Sequence, residues 1–296
     1  MLIKGTISQG RGGLYTAVEN GTGTEYVLRA KKKFRRMHIQ PLVGDIIDFT
    51  PGQADSDEHG WIEEIHPRQN EMTRPPVANI SLMLDLIASE PAPDWGLLDR
   101  MLIQAQKKSV RSLIVVTKCD LDGGLMYEQA QAVYQTAGIR VLPMAYGSRE
   151  DLSGIRSVLK GEHACLSGQS GVGKSTLLNQ LLNIDTQTGS LSEHIKRGRN
   201  TTRHTQLFHV DEIWLFDTPG FSLLEEENAE EPVLLQDYYP EFKPFRDKCR
   251  FSPCFHDKEP GCAVKAAVDS TVHRDRYRRY VDILHKDQEL WKERFK

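Results

Sequence analysis

The sequence predicts an α/β protein in which a phosphate-binding domain follows a small β-barrel and precedes a cysteine-rich module. Three observations predict this organisation. The first seventy residues hold five short strand-like segments, apolar strands then alternate with helix-length stretches, and the loop GQSGVGKS at residues 168–175 stands between a strand and a helix. The stretch NEMTRPP at residues 70–76 marks the change of pattern. We therefore predict domains over residues 1–70, 71–224 and 225–296.

The predicted barrel rests on the alternation of apolar and polar residues. Gly-rich or polar turns separate the strand-like segments, and five strands at this spacing are typical of a small barrel. The segments are residues 2–8, 14–19, 25–29, 43–49 and 61–66.

The middle domain is predicted to be doubly wound, because strands and helices alternate along it. The final part of the chain, residues 270–296, is charged and predicted to be helical. The predicted strands of the middle domain are 80–88, 112–116, 139–143 and 163–167, and its predicted helices are 96–108, 126–136, 151–159 and 174–183.

Length, hydropathy and charge exclude several classes of protein. A chain of 296 residues is too long for a single small module. No apolar run approaches the ~18 residues of a membrane span. The net charge of −3 argues against a protein that coats nucleic acid indiscriminately. We expect a monomeric, cytoplasmic protein without a membrane partner, whose nucleic-acid contacts are confined to local basic patches.

The loop at residues 168–175 fits the phosphate-binding pattern G-x-x-x-x-G-K-[ST]. Its glycines let backbone N–H groups surround a phosphate, Lys174 can bridge phosphate oxygens, and the Ser175 hydroxyl can ligate Mg²⁺. A chance Gly-rich turn is the alternative, which the flanking strand and helix disfavour. The predicted nucleotide contacts in this P-loop are Gly168, Gln169, Ser170, Gly171, Val172, Gly173, Lys174, Ser175 and Thr176.

A second part of the predicted phosphate site is the sequence DTPG at residues 217–220, which ends an apolar strand. Asp217 would hold the Mg²⁺ shell, and the Gly220 N–H would sense the γ-phosphate. The intervening polar loop KRGRNTTRHT, residues 196–205, contains Thr201 and Thr202, either of which could complete the Mg²⁺ coordination, and we favour Thr202. Ordinary loop hydroxyls are the alternative interpretation of that threonine.

The base is predicted to be recognised by the sequence TKCD, directly after an apolar strand. A carboxylate here can accept both N–H groups of the guanine edge, and a lysine stem can pack over the ring, whereas adenine has no such donor pair. A solvated aspartate that caps the following helix is the alternative. The residues of this predicted contact are Thr117, Lys118, Cys119 and Asp120.

The order of these motifs is unusual. TKCD precedes the P-loop and DTPG follows it, whereas in an ordinary GTPase the P-loop comes first. We infer a circular permutation, which is tolerable because the termini of a domain often lie close together on its surface. The segment after Gly220 then leads directly into the C-terminal region, so a switch motion could be passed on mechanically.

Four soft ligands near the C-terminus predict a structural zinc site. Cys249, Cys254, His256 and Cys262 form the pattern C-x4-C-x-H-x5-C, and three thiolates with one imidazole suit a closed tetrahedral Zn²⁺ site. Buried free cysteines are the alternative. The other two cysteines lie beside predicted strands and are expected to be core residues.

Two basic stretches are candidate RNA contacts. RAKKKFRR at residues 29–36 lies in a predicted barrel loop, where phosphate contacts and stacking on Phe34 would bind RNA. A solvated charged face is the alternative. The second stretch has tyrosines at helical spacing, which we expect to pack the helix onto the zinc module. Its arginines are Arg274, Arg276, Arg278 and Arg279.

Together the motifs resemble the RsgA-type GTPases, a circularly permuted bacterial family that depends on the small ribosomal subunit. The resemblance rests on TKCD, GQSGVGKSTLLN, RGRNTTRHT, DTPGF and CRFSPCFHDKEPGC, and covers nearly everything after residue 75. It implies an N-terminal OB-fold β-barrel, a circularly permuted P-loop GTPase domain and a C-terminal zinc-binding helical module.

The same resemblance implies a function, ligands and partners. It implies GTP hydrolysis to GDP and phosphate during late maturation of the small ribosomal subunit, stimulated by the subunit, with contacts to its rRNA. The ligands would be GTP or GDP, Mg²⁺ and a structural Zn²⁺. The chain departs from the family pattern at Thr117, where asparagine is commoner, and at Met144-Ala145-Tyr146, where a Ser-Ala motif contacts the base.

The resemblance also identifies candidate catalytic residues. Many GTPases orient the attacking water with a glutamine after the D-x-x-G motif, but Phe221 stands there in this chain. The substitute proposed for the family is a histidine of the preceding loop, which by position is His204. A neutral imidazole can accept a hydrogen bond from water, and Lys174 would act on the phosphate. A loop histidine without a catalytic task is the alternative.

Two other classes of function stay open on the sequence alone. One is a P-loop ATPase or kinase in which TKCD has no role. The other is a nucleotide-regulated RNA-binding scaffold with negligible catalysis, which Phe221 suggests.

Overall fold

The computed structural model describes residues 2–52, 59–73, 75–182, 205–217 and 230–294. No helix in these residues is both long enough and apolar enough to cross a membrane.

The chain divides into two compact units. The first comprises Met1–Leu84, Leu152–Ser167 and Gly173–Leu223, and the second comprises Asp85–Asp151, Gly168–Val172 and Leu224–Lys296.

The first unit begins with a closed five-stranded barrel, as the sequence predicts. Strand β1 pairs antiparallel with β2 and β4, β2 pairs with β3, β3 runs parallel to β5, and β5 pairs antiparallel with β4. Every strand therefore has two neighbours, which closes the barrel. The strands are β1 (Ile3–Arg11), β2 (Leu14–Glu19), β3 (Glu25–Ala30), β4 (Ile46–Thr50) and β5 (Gly60–Ile65).

Apolar side chains that alternate along these strands fill the barrel. Gly5 lies where a Cβ atom would be only 2.6 Å from the carbonyl oxygen of Val18, so this close approach requires glycine. The short helix α1 (Lys32–Arg36) adds the side chain of Phe34 to the same core. The buried residues are Ile7, Ala17, Leu28, Phe34, Ile47, Phe49 and Ile62.

The rest of the first unit continues this sheet. β1 pairs with β12 (Gln206–Val210) at Gln9 and Gln206, β12 is antiparallel to β13 (Ile213–Asp217), and β13 is parallel to β11 (His163–Gly168). The unit also contains helix α5, a hairpin of two short strands, and the part of helix α4 that begins at Leu152. These elements are α5 (Lys174–Leu181), β6 (Glu71–Thr73), β7 (Pro76–Ala78) and α4 (Arg149–Leu159).

The second unit contains β9, β10 and the part of β8 that begins at Asp85. β8 is buried along its whole length, which is typical of a strand covered on both faces, and β9 is parallel to β10. Apolar residues of the two helices, α2 and α3, pack on these strands. The elements are β8 (Leu82–Ala88), α2 (Trp95–Lys107), β9 (Arg111–Thr117), α3 (Leu125–Tyr134) and β10 (Arg140–Met144).

The C-terminal part of the second unit consists of short helices that are followed by one long helix. Helix α7 buries Arg276, Tyr280, Ile283 and Leu284, a spacing that places all four on one face. Ile103 of α2 packs in one apolar cluster with Tyr280, Ile283 and Leu284. Other residues of α2 pack in the cluster on β9 and β10, so this helix contributes to two apolar clusters of the unit. The elements are 3₁₀ helices at Pro232–Tyr238, Pro240–Phe242 and Arg246–Lys248, followed by α6 (Ala263–Ala266) and α7 (Arg274–Glu293); a further 3₁₀ helix, Gln135–Ala137, directly follows α3.

Most of the predicted elements are present within a few residues of their predicted ends, and the closed barrel and the alternating α/β order are confirmed. The sequence missed β12, because its apolar residues are interrupted by His209 and the strand is only half-buried. The β6–β7 hairpin was not predicted either, because its prolines favoured a linker between domains over a pair of strands. The three-domain division stays a prediction.

Candidate functional site

Three glycines of the P-loop have positive φ angles. Gly168, Gly171 and Gly173 have φ angles of +129°, +83° and +95°, which L side chains rarely adopt. A Cβ atom on Gly168 would also lie 2.4 Å from the carbonyl oxygen of Leu86. Helix α5 begins at Lys174, directly after Gly173, so its N-terminal N–H groups end the loop.

The TKCD motif contacts the P-loop within the second unit. The buried hydroxyl of Thr117 donates to the Val172 carbonyl oxygen at 2.6 Å. The Lys118 ammonium donates to the Gly171 carbonyl oxygen at 2.9 Å and to the Glu90 carbonyl oxygen at 2.7 Å. The two motifs, encoded far apart, are thus in direct contact, and Thr117 anchors the loop where the family pattern has asparagine.

Asp120 lies at the exposed end of the same motif. Its Oδ1 atom accepts a hydrogen bond from the backbone N–H of Tyr146 at 2.9 Å. The side chain of Cys119 is buried, and burial raises the pKa of its thiol. Asp120 is therefore the most exposed residue of TKCD, and Cys119 is a core residue as predicted.

Gln169 connects the P-loop to helix α2. Its Oε1 atom accepts a hydrogen bond from the backbone N–H of Asp94 at 3.0 Å, and Asp94 caps α2 by accepting from the N–H of Leu97 at 2.8 Å. Ser170, the next residue of the loop, is exposed. The loop is thus tied to the start of α2 through one side chain.

The remaining predicted phosphate and Mg²⁺ residues with described positions lie in the first unit. Lys174 is half-buried, and burial lowers the pKa of its ammonium group, a cost that an anionic phosphate would offset. Ser175 and Thr176 are exposed in the first turn of α5. Asp217 ends β13, which runs parallel to β11.

Three predicted site residues, Thr202, His204 and Gly220, lie outside the described residues, as does Phe221. Their roles stay predictions.

The four predicted zinc ligands come together in the second unit. Their ligand atoms all lie within 4.8 Å of one another. The Cys249 Sγ atom is 3.9 Å from Cys262 Sγ and 3.6 Å from His256 Nδ1, and His256 Nδ1 is 3.3 Å from Cys262 Sγ. Tetrahedral Zn²⁺ with Zn–S bonds of about 2.3 Å requires sulfur atoms about 3.8 Å apart. The geometry of these residues fits that ion.

The surroundings of this Cys3His group act on the charge of its sulfur atoms in opposite directions. Burial raises the pKa of the Cys254 thiol to about 12, so its thiolate form requires the charge of a bound cation. The backbone N–H of Lys265 donates to Cys262 Sγ, and that of Ala263 donates to Cys249 Sγ, both at 3.4 Å. These donors stabilise negative charge on the sulfur atoms.

Gln236 holds the histidine of the group from the other side. Its Oε1 atom lies 2.8 Å from His256 Nε2, and its amide nitrogen donates to the Val233 carbonyl oxygen at 3.0 Å. This pairing favours the proton on Nε2 and leaves Nδ1 free to face the cysteines. The role of Gln236 was not predicted, since nothing in the sequence relates this residue to the cysteines.

The chain as a whole is similar to one family. A model of the RsgA N-terminal domain matches residues 4–62, and a model of the RsgA GTPase matches residues 65–227. This chain belongs to the RsgA GTPase family. The small ribosomal subunit biogenesis GTPase RsgA of Clostridium novyi is 38% identical over 287 residues, which are 95% of this chain and 96% of that protein.

Solved structures and a second relative agree with this assignment to the RsgA family. RsgA 2 of Listeria innocua is 37% identical over 96% of this chain and 97% of its own. The crystal structure of YloQ, a circularly permuted GTPase, has a TM-score of 0.80 at 30% identity and covers 98% of this chain and 96% of its own. YjeQ from Thermotoga maritima has a TM-score of 0.81 at 29% identity, with coverages of 97% and 99%. The predicted circular permutation is confirmed.

One predicted RNA contact of this RsgA-family chain is wrong in part. Arg276 is buried and binds Asp99 and Glu241, with 2.6 Å between Arg276 Nε and Glu241 Oε1, and Arg279 also binds Asp99. Burial alone would lower the pKa of Arg276, but the charges of both carboxylates raise it above its ordinary value. These two arginines hold α7 against α2 and are not available to RNA. The signal that sequence analysis missed is an aspartate on the apolar face of α2.

The tyrosines of α7 have the packing role that the sequence predicts. The Tyr280 hydroxyl donates to the Phe255 carbonyl oxygen at 2.9 Å, and the Tyr277 hydroxyl donates to the His256 carbonyl oxygen at 2.7 Å. Both rings thereby fix the loop that carries the metal ligands.

The basic stretch of the barrel is exposed except for Ala30, Lys31 and Phe34. Phe34 is buried in the barrel core, so its predicted role as a stacking ring for RNA is wrong. Lys31 pairs with Glu63. An exposed aromatic side chain does lie nearby, because Trp61 of β5 is 45% exposed and is paired in register with Arg29 of β3. The exposed cations of the stretch are Arg29, Lys32, Lys33, Arg35 and Arg36.

Proposed function

We propose that this GTPase binds the small ribosomal subunit during late maturation and hydrolyses GTP to GDP and phosphate when the subunit stimulates it. The observation that carries the proposal is the contact of Lys118 and Thr117 with the P-loop, because it joins a guanine-recognition motif to a phosphate-binding loop. The relatives' names, small ribosomal subunit biogenesis GTPase, support the partner. We propose that the protein acts in the cytoplasm as a monomer without a membrane partner.

The nucleotide would be held by three groups of residues. Asp120 would accept from the guanine edge, the P-loop N–H groups of residues 168–173 would bind the phosphates, and Lys174 would neutralise their charge. Thr176, next to Ser175, would add a hydroxyl near the phosphates. Adenine offers no donor pair to a carboxylate, so this arrangement favours GTP over ATP.

Ser175, Thr202 and Asp217 would hold Mg²⁺, which neutralises charge on the phosphates when it is bound. Gly220 would respond to the γ-phosphate through its N–H group. His204 would orient the attacking water through a neutral imidazole nitrogen, because Phe221 cannot form a hydrogen bond with water.

The Cys3His group would hold a structural Zn²⁺. Four protein ligands fill a tetrahedral shell, so the ion would organise the loop before α6 rather than take part in hydrolysis. The hydrogen bonds of Tyr277 and Tyr280 would then hold α7 against this ordered loop.

The test of the function is multiple-turnover phosphate release from GTP, with and without purified small ribosomal subunits. We expect slow release by the protein alone and a large increase on addition of subunits. Lys174→Ala should abolish GTP binding and release, since the phosphate charge loses its partner. His204→Ala should bind GTP normally but lose the stimulated release.

Each competing function has its own outcome in this assay. ATP that displaces GTP with equal affinity would favour an ATPase or kinase. GTP binding without any release in the presence of subunits would favour an RNA-binding scaffold. Stimulated release by His204→Ala equal to that of the wild type would remove the histidine from the mechanism.

The exposed cations around α1 are proposed to contact rRNA phosphates, with Trp61 as a neighbouring stacking surface. Replacing Lys32, Lys33, Arg35 and Arg36 by alanine should weaken binding to the small subunit about tenfold or more at moderate salt, and flatten the salt dependence of the affinity. Affinity is measured by sedimentation of the protein with subunits over a salt series.

The matched control removes the same charge elsewhere. Alanine at the exposed positions Arg111, Arg140, Arg149 and Lys160 should change the affinity much less. Equal losses in the two variants would mean that total charge, and not the barrel surface, determines binding.

A further inference from the structure

The loop that follows β10 presents an exposed aromatic ring beside Asp120. Tyr146 is 80% exposed, and among the described residues its ring makes no aromatic, cationic or hydrogen-bond contact. Exposure of a whole aromatic side chain costs free energy that the fold does not recover, because apolar ring atoms are left in water. A ligand that covers the ring would recover it.

The position of this ring follows from the topology of the second unit. β9 and β10 are parallel and in register at Thr117 and Met144. The chain therefore leaves both strands at one edge, where TKCD follows β9 and Ala145-Tyr146 follows β10. The hydrogen bond from the Tyr146 N–H to Asp120 Oδ1, 2.9 Å long, joins the two loops.

The loop that carries the ring is fixed by its own hydrogen bonds. The Ala145 N–H donates to Asp151 Oδ2 at 2.8 Å, the Ser148 N–H donates to the Ala145 carbonyl oxygen at 3.2 Å, and the Asp151 N–H donates to Ser148 Oγ at 3.2 Å. The backbone of Tyr146 is thus held on both sides while its side chain stands in solvent. A ring on a fixed backbone loses little freedom when a planar ligand stacks on it.

We propose that Tyr146 stacks on the purine ring of the nucleotide and so forms one wall of the base site. The inference rests on the proposed guanine recognition by Asp120, and it deepens that recognition. The backbone N–H of Tyr146 is hydrogen-bonded to the Asp120 carboxylate. A base whose edge binds that carboxylate therefore lies within reach of the Tyr146 side chain. Asp120 selects the base by its donor pair, and Tyr146 adds affinity through the face of the ring, which is insensitive to the substituents of the purine.

The experiment is calorimetric titration of the full chain with GDP, and a parallel competition with inorganic pyrophosphate. Tyr146→Ala should weaken GDP binding about tenfold, from the loss of one base–aromatic contact. Tyr146→Phe should bind GDP within about twofold of the wild type, because the ring is kept. Pyrophosphate, which has no base, should bind all variants equally. Leu125→Ala, which removes an exposed apolar side chain of α3, is the matched control and should change neither affinity.

The outcomes separate this inference from the proposed function. Wild-type preference for GDP over ADP, together with unchanged GDP affinity in Tyr146→Ala, would overturn the stacking role alone. Equal weakening of GDP and pyrophosphate by Tyr146→Ala would also overturn it, since the loss would then come from the phosphate loop. A wild-type protein that binds ADP as tightly as GDP would overturn both.

Discussion

Asp99→Ala is expected to lower the free energy of unfolding by about 3–5 kcal/mol, because it leaves Arg276 short of a partner inside the protein. Asp99 is fully buried and receives hydrogen bonds from Arg276, from Arg279 and from the Tyr134 hydroxyl at 2.7 Å. Urea-induced unfolding followed by circular dichroism measures the change.

Two further variants test the cause of this loss. Asp99→Asn keeps a hydrogen-bond acceptor but not the charge, so it should fall between the alanine variant and the wild type. Arg274→Ala breaks the exposed ion pair that this residue of α7 forms with Asp269, and it should change stability little, because solvent screens that pair. A similar loss in Asp99→Ala and Arg274→Ala would contradict a special role for burial.

Removal of zinc is expected to unfold the C-terminal part of the second unit. Binding of structural Zn²⁺ by such ligands contributes about 10–16 kcal/mol at neutral pH, which is comparable to the whole stability of a typical domain. The core beside the metal group contains two of its cysteines, so loss of the ion also loosens the packing of α7. Metal analysis before and after chelation, with circular dichroism of the stripped protein, measures both effects.

Variants of the metal group should form a graded series. Cys262→Ser should abolish zinc retention, because it removes a ligand that also caps α6. Gln236→Leu should weaken zinc about 10- to 100-fold while the four ligands stay present, since it removes only the partner of His256 Nε2. Cys165→Ala, at a buried cysteine outside the group, should retain zinc fully. Purified wild-type protein without zinc would contradict the metal assignment.

Local sequence patterns determined the fold class, most element positions and the candidate ligands of this protein. Alternation in the barrel strands, the glycines of the P-loop and the spacing of the C-terminal cysteines each express a short-range physical requirement, so the residues alone reveal them. Motif order likewise indicated the permutation, because order along the chain is visible without coordinates.

Only the tertiary structure decided which side chains are exposed to a ligand and which are already paired with another residue of the protein. The sequence suggests that Arg276 and Arg279 contact RNA. In the structure both form ion pairs with Asp99, which is encoded 177 residues before Arg276. Phe34 looks like a stacking ring, but the barrel buries it and leaves Trp61 exposed. The pairing of Gln236 with His256 and of Tyr146 with Asp120 is equally invisible in the sequence. Partner choice and burial depend on contacts between distant segments, and no local pattern encodes those contacts.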